Sequence, residues 1–179
     1  MTTLHVDSSI NGDNSASRAI SRSIVGQLHS DRIAYRDLVA EPLSHLTLDA
    51  FADTSVLDEF LAADTVVIGA PMYNFTLPSQ LKAWLDRILV AGKTFRYTES
   101  GPEGLAGGKR VIVALARGGM YDAGTPAASL EHLESYLRGI FNFIGIEPEF
   151  VAADGLNFGP EQREASLNAA LGETVLLAA

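Results

Sequence analysis

The sequence contains no cysteine, and this absence removes several kinds of chemistry at once. A chain without thiols forms no disulfide, holds no thiolate-bound zinc and has no cysteine nucleophile. The absence also fits a reducing compartment. Any redox chemistry that this chain performs therefore needs a cofactor.

Positive charge is scarce as well. The chain has 13 lysines and arginines against 22 aspartates and glutamates, with a formal net charge of -9 and an isoelectric point near 4.8. No run of basic residues forms a local positive stripe. The charge balance therefore argues against nucleic acid as a partner.

Long apolar runs are missing too. No segment is long and apolar enough to span a bilayer. The N-terminal residues MTTLHVDSS enter a strand pattern without the basic stretch and apolar run of a signal peptide. We therefore expect a soluble protein located in the cytoplasm, with no membrane partner.

The residues that are present have the composition of a globular protein. The chain has 179 residues, of which 47% are hydrophobic and 20% charged, and no shift in composition marks a second domain. We expect a single domain over residues 1–179. Short apolar runs alternate with amphipathic segments, which predicts an α/β fold with a doubly wound, five-stranded parallel sheet of order 2-1-3-4-5 and helices on both faces. The predicted strands cover residues 3–7, 31–38, 65–70, 110–115 and 148–153, and the predicted helices cover 15–29, 53–62, 78–92, 125–144 and 161–177.

The loop after the third predicted strand carries unusual chemistry. Residues 65–70 form a continuous apolar run that is typical of a strand buried on both faces, and Pro71 ends it. Pro78 suits the first turn of the helix that follows. Between the two prolines stand a sulfur, two aromatic rings and an amide, supplied by Met72, Tyr73, Asn74 and Phe75. A flat ring with polar edges could lie there; alternatively, these side chains only close the end of the core.

Serines gather in the loop after the first predicted strand. Ser15 is placed to cap the first helix, Ser17 lies in its first turn, and Ser9 stands opposite. Hydroxyls and unpaired backbone N–H groups then meet at the positive end of the helix dipole, which indicates a phosphate site. The alternative is a serine-rich turn that only caps its helix.

Paired glycines follow the fourth predicted strand. Ala116, Arg117, Gly118 and Gly119 combine a backbone that a ligand can approach closely with one positive charge, although a simple tight turn would use the same glycines. The glycine-rich segment 95–109 before that strand is longer than an ordinary connection. Its piece GLAGGK is no phosphate loop, because Arg110 replaces the hydroxyl residue and the segment precedes its strand.

All three loops fall at one place in the predicted topology. In the order 2-1-3-4-5, strands 1, 3 and 4 adjoin, and ligands of such sheets bind outside the carboxyl ends of the strands at the switch point. Three separate signals therefore agree on one crevice. The residues predict a bound aromatic ring that carries a phosphate.

The chain resembles the FMN-dependent NADH azoreductases of the flavodoxin-like superfamily, which also act as quinone reductases. The motifs that carry the resemblance are DSSI at residues 7–10, SAS at 15–17, APMYNFTLPSQLKAWLD at 70–86, FRYTESGPEGL at 95–105, ARGG at 116–119 and FIGI at 143–146. The resemblance covers nearly the full chain and implies a flavodoxin-like fold. It departs in three places: alanines at positions 16 and 116 allow only backbone contacts, and the segment between strands 2 and 3 is short.

The resemblance also implies a set of site residues. The FMN phosphate would be held by Ser9, Ser15, Ala16 and Ser17, the ring would lie against Met72, Tyr73, Asn74 and Phe75, and the pyrimidine edge would meet Ala116, Arg117, Gly118 and Gly119. Family members are homodimers with active sites at the subunit interface, so residues 95–105 would line the partner's pocket. Tyr97 would then form an aromatic wall of the substrate site.

The function expected from this resemblance is reduction of quinones, and of azo compounds, by NADH or NADPH through FMN. Hydride would pass through flavin N5 in a ping-pong reaction, and backbone N–H groups of Gly118 and Gly119, or the charge of Arg117, would stabilise the reduced ring. No metal is expected, since the four histidines form no metal-spaced pair. Two alternatives stay open: a flavodoxin-type electron carrier without NADH turnover, and a flavin-free binding module. The residues distinguish neither NADH from NADPH nor one acceptor from another.

Overall fold

Five parallel strands form the centre of the protein in a computed structural model, which describes residues 1–178. Within those residues the strands are β1 (Thr2–Asp7), β2 (Arg32–Asp37), β3 (Thr65–Pro71), β4 (Phe95–Thr98), β5 (Gly101–Gly104), β6 (Arg110–Ala116) and β7 (Glu149–Ala153). The α-helices are α1 (Ala16–Gln27), α2 (Ser55–Ala62), α3 (Ser79–Ile88), α4 (Glu134–Phe143) and α5 (Pro160–Thr174). The large sheet has the order β2-β1-β3-β6-β7, and β4 and β5 form a separate two-stranded sheet. The predicted order 2-1-3-4-5 is confirmed, with β6 and β7 as its fourth and fifth strands.

Helices cover both faces of the large sheet. Residues of α2, α3 and α4 form one core, in which Phe60 and Trp84 pack edge to face with ring centroids 6.0 Å apart. On the other face, Ile20 of α1 and Ala170 of α5 pack against the sheet. Since β3 lies between these layers, its alternate side chains enter different cores, and this explains why its sequence is apolar at every position.

The strand register brings the carboxyl ends of four strands to one edge. Asp7 of β1 pairs with Gly69, Pro71 of β3 pairs with Ala116, and Ala116 of β6 pairs with Ala153 of β7. The loops that leave these strands therefore begin side by side. This edge is the place where the three predicted ligand loops meet.

The segment after α3, predicted only as a connection of unusual length, is a β-hairpin. β4 and β5 pair antiparallel, and Arg96 meets Glu103 across them with two N–H···O distances of 2.8 and 2.9 Å. Gly104 lies directly against the backbone of Ile144 and Gly145, at the end of α4. The hairpin is thus attached to the body of the protein through a backbone contact.

The helix predicted over residues 125–144 is wrong in its first half. Residues 125–133 form turns and a short 3-10 helix, Ala128–Leu130, and α4 begins at Glu134. The cause is Glu131, whose carboxylate accepts the backbone N–H groups of Leu133, Glu134 and Ser135. A side chain that caps these N–H groups starts a new helix there.

Other helix ends also differ from the prediction, including α2, which begins at Ser55, and α5, which ends at Thr174. α3 ends at Ile88 and does not continue to Gly92, because the Thr94 hydroxyl donates to the Ile88 carbonyl and accepts the Val90 N–H. Pro78 stands just before the helix as its N-cap residue. α1 ends at Gln27, slightly before the predicted end. Of the helices formed by residues 1–178, none has both the length and the apolarity needed to cross a membrane.

Candidate functional site

The loops after β1, β3 and β6 enclose a cavity of about 200 Å³ at the shared strand edge. Its lining consists of Ser9, Asn11, Asn14, Ser15, Ala16, Pro71, Met72, Tyr73, Ala116, Gly118, Leu156, Asn157 and Arg163. The prediction that the three loops share one crevice is therefore confirmed at the level of geometry. Next to this cavity, and sharing Met72 and Tyr73 with it, lies a larger open groove of about 900 Å³.

The serine loop presents hydroxyls and free N–H groups to the cavity. Ser15 caps α1, because its Oγ accepts the Arg18 N–H at 3.2 Å, and the Ser17 Oγ lies 3.1 Å from the Ser15 Oγ. The backbone N–H groups of Ala16 and Ser17 have no acceptor among residues 1–178. Both residues are buried. Buried amide donors at the start of a helix are suited to an anion.

A buried arginine supports this loop from below. The Arg18 guanidinium donates to the Ser9 carbonyl at 2.9 and 3.2 Å and to both carboxylate oxygens of Asp37 at 2.7 and 2.8 Å. The hydrogen bond from Arg18 lowers the pKa of Asp37 to about 2. Behind this pair, the fully buried Asp7 accepts the hydroxyls of Ser21 and Tyr35. The charge of Arg18 is thus compensated by Asp37 inside the protein, and its guanidinium holds the Ser9 backbone in place.

The loop after β3 is a tight turn with an unusual backbone. Tyr73 and Thr76 exchange both backbone hydrogen bonds, at 2.9 and 3.1 Å, around Asn74 and Phe75. These two central residues have positive φ angles of 48° and 71°, a conformation that costs free energy for residues with a side chain. Their N–H groups have no acceptor in the described part of the chain. The turn is held from outside, because the Phe75 carbonyl accepts the His132 N–H at 3.0 Å.

Tyr73 connects this turn to the serine loop. Its hydroxyl lies 3.2 Å from the Ser9 Oγ and accepts the Ile10 N–H at 3.1 Å. Tyr73 also lines both the cavity and the groove. A ligand in the cavity that contacts Tyr73 would therefore contact a side chain that joins the two loops.

The loop after β6 differs from the expectation in the role of its arginine. The Arg117 guanidinium is buried and donates to Asp154 and Glu134, at 2.8 and 3.4 Å. Burial opposes the charged form, but the hydrogen bond to Asp154 and the nearby carboxylate charges together outweigh it and raise the pKa of Arg117. The charge is therefore neutralised within the protein. This loop contributes Ala116 and Gly118 to the cavity lining, whereas Arg117 and Gly119 are not part of it. The backbone N–H groups of Gly118 and Gly119 have no acceptor among residues 1–178.

Not every predicted residue lines the cavity. Asn74 lines the groove instead, Phe75 is exposed beside the Tyr121 ring, and the Ser17 side chain lies beneath Ser15. Tyr97 is 74% exposed on the hairpin, where its ring packs edge to face on Phe95. It lines neither the cavity nor the groove.

A fourth loop of the site, which follows β7, was not predicted from the sequence. Leu156, Asn157 and Arg163 from this loop and from α5 line the cavity. The Asn157 N–H bonds the Gly118 carbonyl at 3.0 Å, and a Cβ at position 118 would overlap the Asn157 amide. The predicted topology could have revealed this loop, because a parallel strand beside β6 must end at the same edge of the sheet. No group of side chains in residues 1–178 is arranged to hold a metal ion.

Comparison with known proteins agrees with this geometry. A family model of the flavodoxin-like fold matches residues 1–175. The FMN-dependent NADH:quinone oxidoreductase 2 of Bradyrhizobium diazoefficiens is 55% identical over 193 aligned residues, which cover 96% of this chain and 96% of that protein. The chain therefore belongs to the flavodoxin-like family whose model it matches.

Solved structures of azoreductases share the architecture of this quinone oxidoreductase family member. The azoreductase AzrA superimposes with a TM-score of 0.90 at 29% identity, covering 99% of both chains. An FMN-dependent NADH-azoreductase of Bacillus anthracis, solved in complex with FMN, superimposes with a TM-score of 0.84 at 24% identity over 100% of both chains. The fold recognised from the sequence motifs is confirmed. The Bradyrhizobium alignment is also longer than the 179 residues of this chain, so the relative has segments that are absent here.

Proposed function

We propose that this protein is an FMN-dependent oxidoreductase that uses NADH to reduce quinones and azo compounds. The observation that carries the proposal is the set of unpaired backbone N–H groups in three loops around one cavity, at the strand edge where flavodoxin-like folds bind their ligand. Family membership supports it, since the relatives are FMN-dependent NADH:quinone oxidoreductases by name. When bound, FMN would supply the chemistry, taking hydride at N5 from the nicotinamide and passing it to the acceptor in a ping-pong reaction.

The serine loop fits the phosphate of FMN. We assign this group to the hydroxyls of Ser9 and Ser15 and to the backbone N–H groups of Ala16 and Ser17. These donors stand at the positive end of the α1 dipole, and they need an acceptor because they are buried. Arg18 keeps Ser9 in position through its carbonyl. The phosphate thus meets preformed donors.

The other two loops fit the ring. Met72 and Tyr73 line the cavity, and the turn that they enter has free N–H groups at Asn74 and Phe75. Ala116 and Gly118 line the cavity as a second backbone edge. Negative charge that develops on the pyrimidine would be stabilised by the Gly118 and Gly119 N–H groups. Arg117 would act indirectly, because its salt bridges hold this backbone in place.

The open groove is suited to the two substrates. It lies beside the ring wall, and its apolar lining includes Met72, Leu77 and Pro78, with Lys82 and Tyr136 at its polar side. A nicotinamide and a flat acceptor could stack there in turn. The same groove offers room for a quinone or an azo compound, and nothing in its lining selects NADH over NADPH.

A homodimer in the cytoplasm is part of the proposal. Tyr97 and Leu105 expose apolar surface on the hairpin, and a partner subunit would cover it. Tyr97 could then line the partner's substrate groove. Sedimentation of the purified protein tests the dimer: a single species of monomer mass at micromolar concentration would contradict it. A cytoplasmic location is proposed because the enzyme needs a compartment that contains NADH.

Steady-state kinetics test the function. The FMN-loaded protein is mixed with NADH or NADPH and with a panel of quinones and azo dyes, and the nicotinamide absorbance is followed. Parallel lines in double-reciprocal plots would support the ping-pong scheme, whereas intersecting lines would contradict it. Oxidation of neither nucleotide would favour the flavodoxin-type electron carrier, and failure to take up FMN would favour the flavin-free module.

Tyr97→Phe tests the proposed wall of the substrate site. The variant should reduce quinones more slowly than the wild type, because the hydroxyl that hydrogen-bonds the acceptor carbonyl is lost, and it should bind FMN equally well. Fluorescence titration with FMN gives the binding control. Unchanged kinetics with several quinones would remove Tyr97 from the site.

A further inference from the structure

One positively charged side chain in the cavity has no role in the site described so far. Arg163, in the first turn of α5, lines the cavity together with Ser9, Ser15 and Ala16. The other residues that line this cavity are uncharged. A dianionic phosphate is the ligand group that such a cation would attract most strongly.

The geometry places the guanidinium at the phosphate end of the cavity. Its Nη2 donates to the carbonyl of Asn14 at 2.7 Å. Asn14 directly precedes Ser15, the N-cap residue of α1. A guanidinium has five N–H donors, and the others of Arg163 have no acceptor within residues 1–178. No carboxylate of the described chain lies within salt-bridge distance of it, so its charge is not neutralised as that of Arg18 is.

The neighbouring arginines cannot take this role. Arg18 is buried under the loop and makes a bidentate pair with Asp37. Arg22 faces the solvent beside Asp13 and lines a different depression. Arg117 is held by Asp154 on the far side of the glycine loop. Arg163 alone among these four combines a free charge with a place in the cavity wall.

We propose that Arg163 is a direct binding residue for the phosphate of the flavin cofactor. It would add a charge-assisted hydrogen bond to the neutral donors of the serine loop. It would also tie α5 to the start of α1 in the bound state. This inference rests on the proposed function, since it assumes that the cavity takes a flavin phosphate.

Comparison of FMN with riboflavin tests the inference, because riboflavin has the same ring and no phosphate. Affinities of both flavins are measured by fluorescence titration of the apoprotein, for the wild type, R163Q and R163K. R163Q should bind FMN about 10- to 100-fold more weakly, as expected for the loss of a hydrogen bond to a charged group, and should bind riboflavin as the wild type does. R163K should recover part of the FMN affinity. Inorganic phosphate should displace FMN from the wild type more strongly than it weakens riboflavin binding.

The control variant is R32Q. Arg32 is exposed at the amino end of β2, at the opposite edge of the sheet, so this change removes the same charge away from the cavity. R32Q should change FMN affinity little. Circular dichroism and thermal melting of the apoproteins show whether each variant folds.

Three results would overturn the inference. These are unchanged FMN affinity in R163Q, equal losses for FMN and riboflavin, and an equal loss of FMN affinity in R32Q. Equal losses for both flavins would show that Arg163 only fastens α5 to the loop. If the wild type binds neither flavin, the proposed function itself fails, and this outcome is distinct from a failure confined to R163Q.

Discussion

Phe75 adopts a backbone conformation that residues with a side chain rarely adopt. Its φ angle is 71°, and the exchanged hydrogen bonds of Tyr73 and Thr76 hold it there. Asparagine tolerates this region, whereas valine, with a branched Cβ, is strongly disfavoured. We therefore expect F75V to be less stable than F75N by about 1 kcal/mol, although both lose the ring. Urea unfolding of the apoproteins measures the difference, and equal free energies of unfolding would show that the turn relaxes.

Asp37 makes stability depend on pH. Its pKa is lowered from 3.8 to about 2, mainly by the hydrogen bond from Arg18. Because the folded pKa is the lower one, the contribution is complete above about pH 4 and is lost as pH falls towards 2. At pH 7, D37N should therefore be less stable than the wild type by about 2 kcal/mol.

Urea unfolding at several pH values measures this contribution. The difference between wild type and D37N should shrink between pH 4 and pH 2, because the wild-type carboxyl becomes protonated there and loses its charge. A difference that stays constant over this range would mean that Arg18 and Asp37 do not stabilise the fold through their charges.

Single residues were predictable where topology alone decided their position. Ser9 and Ser15 follow β1 and begin α1, so any fold of this class places them beside the loop after β3. The direction of the Arg117 side chain was not predictable. Its partners Asp154 and Glu134 lie on β7's loop and on α4, and only the folded chain brings them together. For the same reason, the sequence pattern did not reveal Arg163.

At the scale of elements, the hairpin and α4 depend on one another. A Cβ at Gly104 would overlap the backbone of Ile144 and Gly145, and backbone atoms cannot yield as a flexible side chain does. G104A should therefore detach the hairpin and lower the free energy of unfolding by about 1–3 kcal/mol. Amide hydrogen exchange should become faster in residues 95–104.

The matched control is G139A in α4. A Cβ at Gly139 would have open space around it, and alanine is the better helix former, so this variant should gain up to about 1 kcal/mol. Opposite signs for G104A and G139A are expected in urea unfolding. Destabilisation of both variants by the same amount would mean that the contact at Gly104 is not what limits the substitution.

Helices and strands were predictable where one spacing of apolar residues dominated the segment. β3 and β6 are apolar at successive positions, and this pattern marks strands buried on both faces. The start of α4 was not predictable from the period, because the apolar spacing continues back through Leu130 while the Glu131 carboxylate interrupts the helix. The hairpin lacked apolar alternation, since residues 95–104 are mostly exposed. Local hydrogen bonds decided both cases.

The order of the whole sheet followed from general rules of chain connection. Crossovers between parallel strands are right-handed, and five strands that alternate with helices have few ways to cover both faces. β2-β1-β3-β6-β7 is one of these, and it puts the switch point beside β1. The hairpin inserted before β6 does not disturb this order, because it joins no strand of the large sheet. Topology was thus more predictable than side-chain pairing.

Binding and folding should be linked throughout the molecule, because the cavity exists only when four strand ends are assembled at one edge. The unfolded chain cannot bring these loops together, so FMN should bind the folded state alone. At 100 times its dissociation constant, FMN should then stabilise the protein by about 2.7 kcal/mol, and each further tenfold increase should add about 1.4 kcal/mol. For a chain of this size, a stabilisation of about 2.7 kcal/mol corresponds to a rise in melting temperature of about 5–10 °C.

Thermal melting over a series of FMN concentrations measures this rise. A melting temperature that does not rise, in a protein that titration shows to bind FMN, would mean that the flavin is held outside this cavity, by a part of the chain that stays available when the strand edge comes apart.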